Sequence, residues 1–371
     1  MFNRLPEYPW QQLKPYSAMA AQHPGGAVDL SVGSPVDATP QVIQDALIAA
    51  ANSPAYPTTA GSLELREAVA EWFARRRGVP GLAADQVMAS IGSKELISYL
   101  PLYLGLGPDD VVVQPEAAYT AYAVGAAFAG AQIISEDDPE KWPANAKLIW
   151  INSPGNPNGK VHDVHFLRQA LAKARSIGAV LASDECYAEL GWDGQWATEL
   201  IPSLIDPRVT EGNLDGVIAL YSLSKQSNLA GYRAAFAVGE AGLIKAIVNL
   251  RMHSGMITPM PIQKAMVAAL KDEAHVAEER QVYGRRRQLL LEAIREYGFE
   301  VSASEAGLYL WATLGEDCWI TVKRMAELGI VVVPGTFYGE SSPNHVRFSL
   351  TATDANIAEA AKRLRDAVSL R

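Results

Sequence analysis

Cysteine is nearly absent, with only Cys186 and Cys318 in a chain of 371 residues. Two thiols cannot build a disulfide framework, and such a chain is expected in a reducing, cytoplasmic compartment. A basic surplus is also missing. Lys and Arg total 32 against 41 Asp and Glu, for a net charge of −9. That balance argues against nucleic acid as a principal partner, and any anionic ligand must be met by a local cluster of donors. Long hydrophobic runs are lacking too. The longest uncharged stretch, Ala117 to Ser135, carries Tyr119, Thr120, Tyr122 and Gln132 and is broken by Gly125 and Gly130. It reads as a helix followed by a strand rather than a membrane span. The opening MFNRLPEYPWQQLKPY holds no apolar run for a signal peptide. No internal repeat and no low-complexity linker is visible. No metal-ligand spacing stands out either. His162 and His165 lie three apart with no third ligand in view, which reads as a solvated helix end.

What remains is an average globular composition, 49% hydrophobic and 20% charged, with length for roughly two domains. Pro40 to Ala51 reads as a helix capped by Thr39, and Ser62 to Arg77 as another with Leu65, Val69, Trp72 and Phe73 on one face. Seven short apolar runs follow: VMASI after Gln86, VVVQ at 111, QIIS at 132, LIWIN at 148, AVLAS at 179, VIALYS at 217 and AAFAVG at 234. Helical patterns near 94–104, 119–129 and 163–177 separate most of them. Alternation of this kind predicts an α/β fold with a mostly parallel sheet covered on both faces. From about Pro259 the texture changes to two helical stretches ending at Tyr297. The runs LYLWAT, VVVPG and VRFSL come next, then an amphipathic helix with Ile357, Ala361, Leu364 and Val368. The expected division is a segment 1–40 packing with the small domain, a large domain 41–258, and interdomain helices with a small α+β domain over 259–371.

Two glycine patterns are decoys. Gly105-Leu106-Gly107 would need a third glycine where Asp110 stands, and GNPNGK at 155 is one residue short of a phosphate loop, with Val161 in the Ser/Thr place. Cys186 reads as a small buried residue, with catalysis by the thiol the lesser alternative. Four other features, each ordinary alone, form a set. Gly92-Ser93-Lys94-Glu95 opens a helix directly after a strand. It reads as a helix cap or as an anion site of free backbone N–H groups. Asn152 to Gly159, dense in Asn and Pro, follows the strand LIWI at the sheet edge where ligands of open α/β folds bind, although all its residues are turn formers. Asp184-Glu185-Cys186-Tyr187 puts a carboxylate at a buried strand tip. The carboxylate must be paired, either by capping the next helix or by a cationic ring nitrogen. Ser222-Leu223-Ser224-Lys225, then Gly231-Tyr232-Arg233, sets a lysine among small hydroxyls at a strand end. It is either a surface lysine or a desolvated amine suited to Schiff-base chemistry.

In this order, the four motifs resemble the fold-type I, class I/II aminotransferases that use pyridoxal 5′-phosphate. The eight-residue step from Lys225 to Arg233 and the two-residue gap between Asp184 and Tyr187 match that family. The resemblance runs from Gly33 in SVGSP to Arg347 in VRFSL. More narrowly, LPEYPW, DLSVGSPVD, YPTTAGSLELREAVAEW, SIGSKEL and INSPGNPNGKV are similar to the N-succinyldiaminopimelate aminotransferases of lysine and diaminopimelate biosynthesis. The resemblance implies a pyridoxal phosphate fold with a seven-stranded, mostly parallel sheet. It implies a Schiff base at Lys225 and a pairing of Asp184 with the pyridine nitrogen. Tyr187 and Asn156 would donate to the ring's phenolic oxygen, and Tyr119 would stack on the ring. The phosphate would fall to Ser93, the Lys94 backbone, Ser222, Ser224 and Arg233, with Tyr56 reaching it from the neighbouring subunit of a homodimer with shared sites. Arg347 would grip the substrate α-carboxylate, with the Gly33 backbone and Asn156 lining that pocket. The implied reaction moves an amino group from L-glutamate to N-succinyl-2-amino-6-oxopimelate. Another transaminase of aspartate, alanine or LL-diaminopimelate type and a carbon–sulfur β-lyase are the alternatives. A cofactor-binding regulator would need a basic DNA-binding module, for which this chain has no room. No arginine is assigned by motif to a distal carboxylate.

Overall fold

A computed structural model describes residues 9–369. The first eight residues of the N-terminal segment and the last two of the chain lie outside the described residues. The N-terminal segment contributes one short strand, β1 (Val28–Asp29). The seven apolar runs become one sheet: β2 (Val87–Ile91), β3 (Val111–Gln114), β4 (Gln132–Ser135), β5 (Ala146–Asn152), β6 (Val180–Asp184), β7 (Val217–Ser222) and β8 (Ala234–Gly239). Their order is β2-β8-β7-β6-β5-β3-β4. Only β8 runs against its neighbours, pairing antiparallel with β2 and β7, while the other pairs are parallel. The fold is therefore the expected α/β class with a large, mostly parallel sheet.

Strands β5 to β8 read as continuous apolar runs because helices cover both faces of the sheet. Ile149, Ile151, Leu181, Val217 and Ala219 face one way. They pack with the helices Gln41–Ala49, Leu63–Arg76, Val164–Ile177 and Met260–Lys271. Leu148, Trp150, Ala182, Ile218 and Leu220 face the other way, against the helices Ser93–Tyr103, Ala121–Ala129 and Ala241–His253. The edge strand β4 differs, with all four residues exposed. Its isoleucines belong to a sheet edge, not to the buried layer that the run QIIS predicts.

The C-terminal strands are β9 (Glu300–Val301), β10 (Tyr309–Thr313), β11 (Ile330–Val331), β12 (Val333–Pro334) and β13 (His345–Ser349). Four of them form an antiparallel sheet in the order β12-β13-β10-β9, and β11 pairs in parallel with β1. Leu13, Val28 and Leu30 thus share a core with Leu290, Leu310, Phe348 and Leu364. The long helix Ala274–Tyr297 packs along the last one, Asp354–Ser369. Val368 departs from its expected place on the apolar face and is exposed.

Candidate active site

The C-terminal tips of β5, β6 and β7 open on one cavity of about 350 Å³. Each tip carries a polar residue inward. At β6, Asp184 is buried, its Oδ1 accepting from the Cys186 backbone N–H at 3.2 Å and its Oδ2 from the Tyr122 hydroxyl at 3.2 Å. Burial raises its carboxyl above the usual range, against the opposing pull of those two bonds and of Lys225. A cationic group beside it would meet that cost. Glu185 points the other way, into an ion pair with Arg77 at 3.0 Å. It also accepts from Ser203 Oγ and the Leu204 N–H, which anchors the strand end from behind. Cys186 is buried, and burial drives its thiol well above the ordinary value, so it stays protonated.

After β5, Asn152 staples the loop. Its Nδ2 donates to the Asp184 carbonyl at 2.9 Å and the Pro154 carbonyl at 3.0 Å, and its Oδ1 accepts from the Asn156 N–H at 2.7 Å. The density of Asn in this segment serves that geometry. Asn156 then points at Arg347, whose Nη1 donates to Asn156 Oδ1 at 2.9 Å. This fixes the amide and leaves Asn156 Nδ2 as the donor for the cavity. Arg347 is buried, gives its Nη2 to the Ser31 carbonyl at 2.7 Å, and has a buried Nε with no partner among the described residues. A buried guanidinium with an unpartnered N–H suits a carboxylate ligand.

After β7, Ser222 Oγ caps the short helix Leu223–Gln226 by accepting from the Ser224 N–H at 3.2 Å and donates to Ser224 Oγ at 2.8 Å. Lys225 Nζ donates to the Gly33 carbonyl. Arg233, with a left-handed φ of 57°, bonds only the Ala230 carbonyl and pairs with no carboxylate among the described residues. Its head lies over Gly92, the residue that opens the helix Ser93–Tyr103. A Cβ at Gly92 would lie 2.2 Å from Arg233 Nη2. Free N–H groups of a helix N-terminus, Ser93, Ser222, Ser224 and an unpaired guanidinium form a cradle for a dianionic phosphate. Lysine amine, buried carboxylate and phosphate cradle around one cavity are the donor set that pyridoxal phosphate requires, and the residues fit it.

Gly33, Lys94, Tyr119 and Tyr187 line the same cavity. Among the expected residues only Tyr56 does not, being 98% exposed. Two tyrosines escape a reading of the sequence. Tyr122 bonds Asp184 from within a helix, stacked on Trp150 at 4.9 Å. Tyr309 in β10 meets the Tyr187 hydroxyl at 3.1 Å. His162 also departs from expectation, since its ring stacks on Phe166 at 3.9 Å instead of standing in solvent. Burial lowers its pKa to about 3. No helix among the described residues is long and apolar enough to cross a membrane.

Comparison with known proteins bears on this arrangement. The family model "Aminotransferase class I and II" matches residues 26–364. The 4-dedimethylamino-4-oxo-anhydrotetracycline transaminase OxyQ of Streptomyces rimosus is 49% identical over 97% of this chain and 99% of its own. A probable aminotransferase, Rv1178 of Mycobacterium tuberculosis, is 47% identical over 97% of this chain and 85% of its own. An LL-diaminopimelate aminotransferase of Dehalococcoides mccartyi is 32% identical over 97% and 96%. Among solved structures, an aminotransferase of Neisseria meningitidis superposes with a TM-score of 0.88 at 29% identity, covering 100% of both chains.

Proposed function

The chain belongs to the class I and II aminotransferases, and from that premise we propose that it transfers the amino group of L-glutamate to N-succinyl-2-amino-6-oxopimelate. Its cofactor is pyridoxal 5′-phosphate. The carrying observation is the grouping of Lys225, Asp184 and a buried, partly unpartnered Arg347 around one cavity.

When bound, pyridoxal phosphate supplies an aldehyde for the amino group and a conjugated ring that takes up the electron pair released at Cα. The chain's own groups do the rest. Lys225 Nζ would carry the proton from substrate Cα to the cofactor's aldehyde carbon, the shift by which the amino group moves. Asp184 keeps a proton on the pyridine nitrogen, its two oxygens already aimed by Cys186 and Tyr122. Asn156 Nδ2 and the Tyr187 hydroxyl donate to the phenolic oxygen. Tyr119 packs on the ring. Ser93, the Lys94 N–H, Ser222, Ser224 and Arg233 hold the phosphate. Arg347 binds the α-carboxylate next to the Gly33 backbone.

The succinylated acceptor is supported by the run of similar segments from YPTTAG to INSPGNPNGKV and by the LL-diaminopimelate aminotransferase relatives. A second reading has its own support. The relative named for an oxo-anhydrotetracycline is the more similar, and Trp10, Tyr119, Tyr309 and Tyr338 give the cavity an aromatic wall suited to a ring ketone.

We further assign a cytoplasmic homodimer with shared sites, in which Tyr56 serves the neighbour's phosphate. Its full exposure and the exposed Val42, Ile48 and Leu63 support the shared site, and two buried, unpaired cysteines support the compartment. The large domain is assigned to 41–258, and the interdomain helices with the small domain to 259–371. Loaded protein given only L-glutamate should release a single equivalent of 2-oxoglutarate per site and stop, then resume when N-succinyl-2-amino-6-oxopimelate is added. Absence of 2-oxoglutarate, or a release that the acceptor does not sustain, contradicts the proposal.

A further inference from the structure

Tyr309 lines the cavity, yet none of the roles above uses its hydroxyl. It sits in β10 diagonally across from Arg347, because the register pairs Tyr309 with Ser349 and Trp311 with Arg347. The guanidinium carbon accordingly lies 3.9 Å from the Tyr309 ring centroid. The hydroxyl meets that of Tyr187 at 3.1 Å, with the two rings edge to face. Gly33 closes the third side, where a Cβ would stand 2.1 Å from Tyr309 Oη. The side chain is therefore held from three directions, and only glycine at 33 leaves its hydroxyl room.

We propose that Tyr309 is a positioning residue whose hydroxyl donates to the Tyr187 oxygen and so directs the Tyr187 proton at the cofactor's phenolic oxygen. The inference rests on the cofactor-side role proposed above for Tyr187. A tyrosine hydroxyl has one proton to give and two sites at which to accept. Were Tyr187 the donor within the pair, its proton would be consumed there. With the single Tyr187 proton given to the phenolic oxygen, the 3.1 Å contact takes its proton from Tyr309. Burial pushes the Tyr309 hydroxyl up and Cys186 adds to that. Arg347, 3.9 Å from the ring centroid, and then Lys225 pull the other way, and the hydroxyl ends below the ordinary tyrosine value. Tyr187 goes the other way, raised well above that value by burial first and by Tyr309, Cys186 and Asp184 after it. The guanidinium beside Tyr309 thus polarises its O–H and supports it as the donor. Two hydrogen bonds running in one direction then polarise each other, which strengthens Tyr187 as a donor.

The test is a spectrophotometric pH titration of the protein loaded with pyridoxal phosphate, in which cofactor absorbance reports protonation of its link to Lys225. A donor to the phenolic oxygen favours the deprotonated form and lowers the midpoint. Tyr187→Phe should raise the midpoint by roughly 1 to 2 pH units. Tyr309→Phe keeps the ring under Arg347 and should raise it by roughly 0.2 to 0.6. Introduced on top of Tyr187→Phe, Tyr309→Phe should add nothing, because its effect passes through that hydroxyl. An unmoved midpoint in Tyr309→Phe, or an effect that adds in full to that of Tyr187→Phe, overturns the inference and leaves the role of Tyr187 standing. An unmoved midpoint in Tyr187→Phe overturns both.

Discussion

Lys225 is a half-buried amine tied to the Gly33 carbonyl, just past the end of β7, whose neighbour β6 delivers Asp184 and whose next strand but one, β5, leads to Asn156. Lys225→Ala should abolish transamination, and borohydride should no longer fix the cofactor to the chain. Turnover near the parent rate, or labelling at another lysine, would show that a different amine does the work. Lys225, Asp184, Asn156 and Arg233 are legible in sequence because they sit in strand–loop junctions, where Ser, Asn and Gly crowd around a charge that no local turn needs. Arg347 is legible only through family resemblance, since an arginine inside VRFSL reads as one polar face of a strand. Tyr122 and Tyr309 are not legible. One lies in an alanine-rich helix and the other in the apolar run LYLWAT, where a tyrosine reads as core. Their hydroxyl partners come from segments 62 and 122 residues away in the chain.

Strand ends and helix starts carry the chemistry at the next scale. Gly92 joins β2 to the helix Ser93–Tyr103 with φ at 74°, and its missing Cβ leaves space for the Arg233 head. Gly92→Ala should strain that turn and push the guanidinium out of the phosphate cradle. The dissociation constant for pyridoxal phosphate should rise roughly tenfold or more, the loss of a charge-assisted contact. Equilibrium dialysis of the apoprotein measures it, and parent-like affinity would remove Gly92 and Arg233 from the cradle. Elements with one dominant pattern are legible: buried parallel strands read as apolar runs, and the helices Leu63–Arg76 and Val164–Ile177 show their periodicity. The helix Cys318–Glu327 is not, because its start, CWITV, mixes aromatic and β-branched residues that favour strands. Strand β4 is legible as a strand but not as an edge, since position within a sheet is fixed by pairing partners that sequence does not reveal.

The whole molecule brings the N-terminal segment, the large sheet and the C-terminal sheet to one cavity. Gly33, Asp184, Lys225 and Arg347 reach it from four separate stretches of chain. Arg286, on the long helix, ties this arrangement together by donating to Asp37 at 2.7 Å and to Asp354 at 2.5 Å. Completing the phosphate site from a second copy is tested by mixing two inactive forms, Lys225→Ala and Tyr56→Ala. In a mixed dimer one site collects both defects and the other is intact, so activity should return once subunits exchange. Exchange without recovered activity would mean that Tyr56 does not serve the neighbour. Substrate identity is the central claim, and a ranking of amino acceptors by kcat/KM tests it most directly. With L-glutamate as donor, N-succinyl-2-amino-6-oxopimelate should lead a panel that includes pyruvate, oxaloacetate and an oxo-anhydrotetracycline. A wide lead for any of the other three would contradict it.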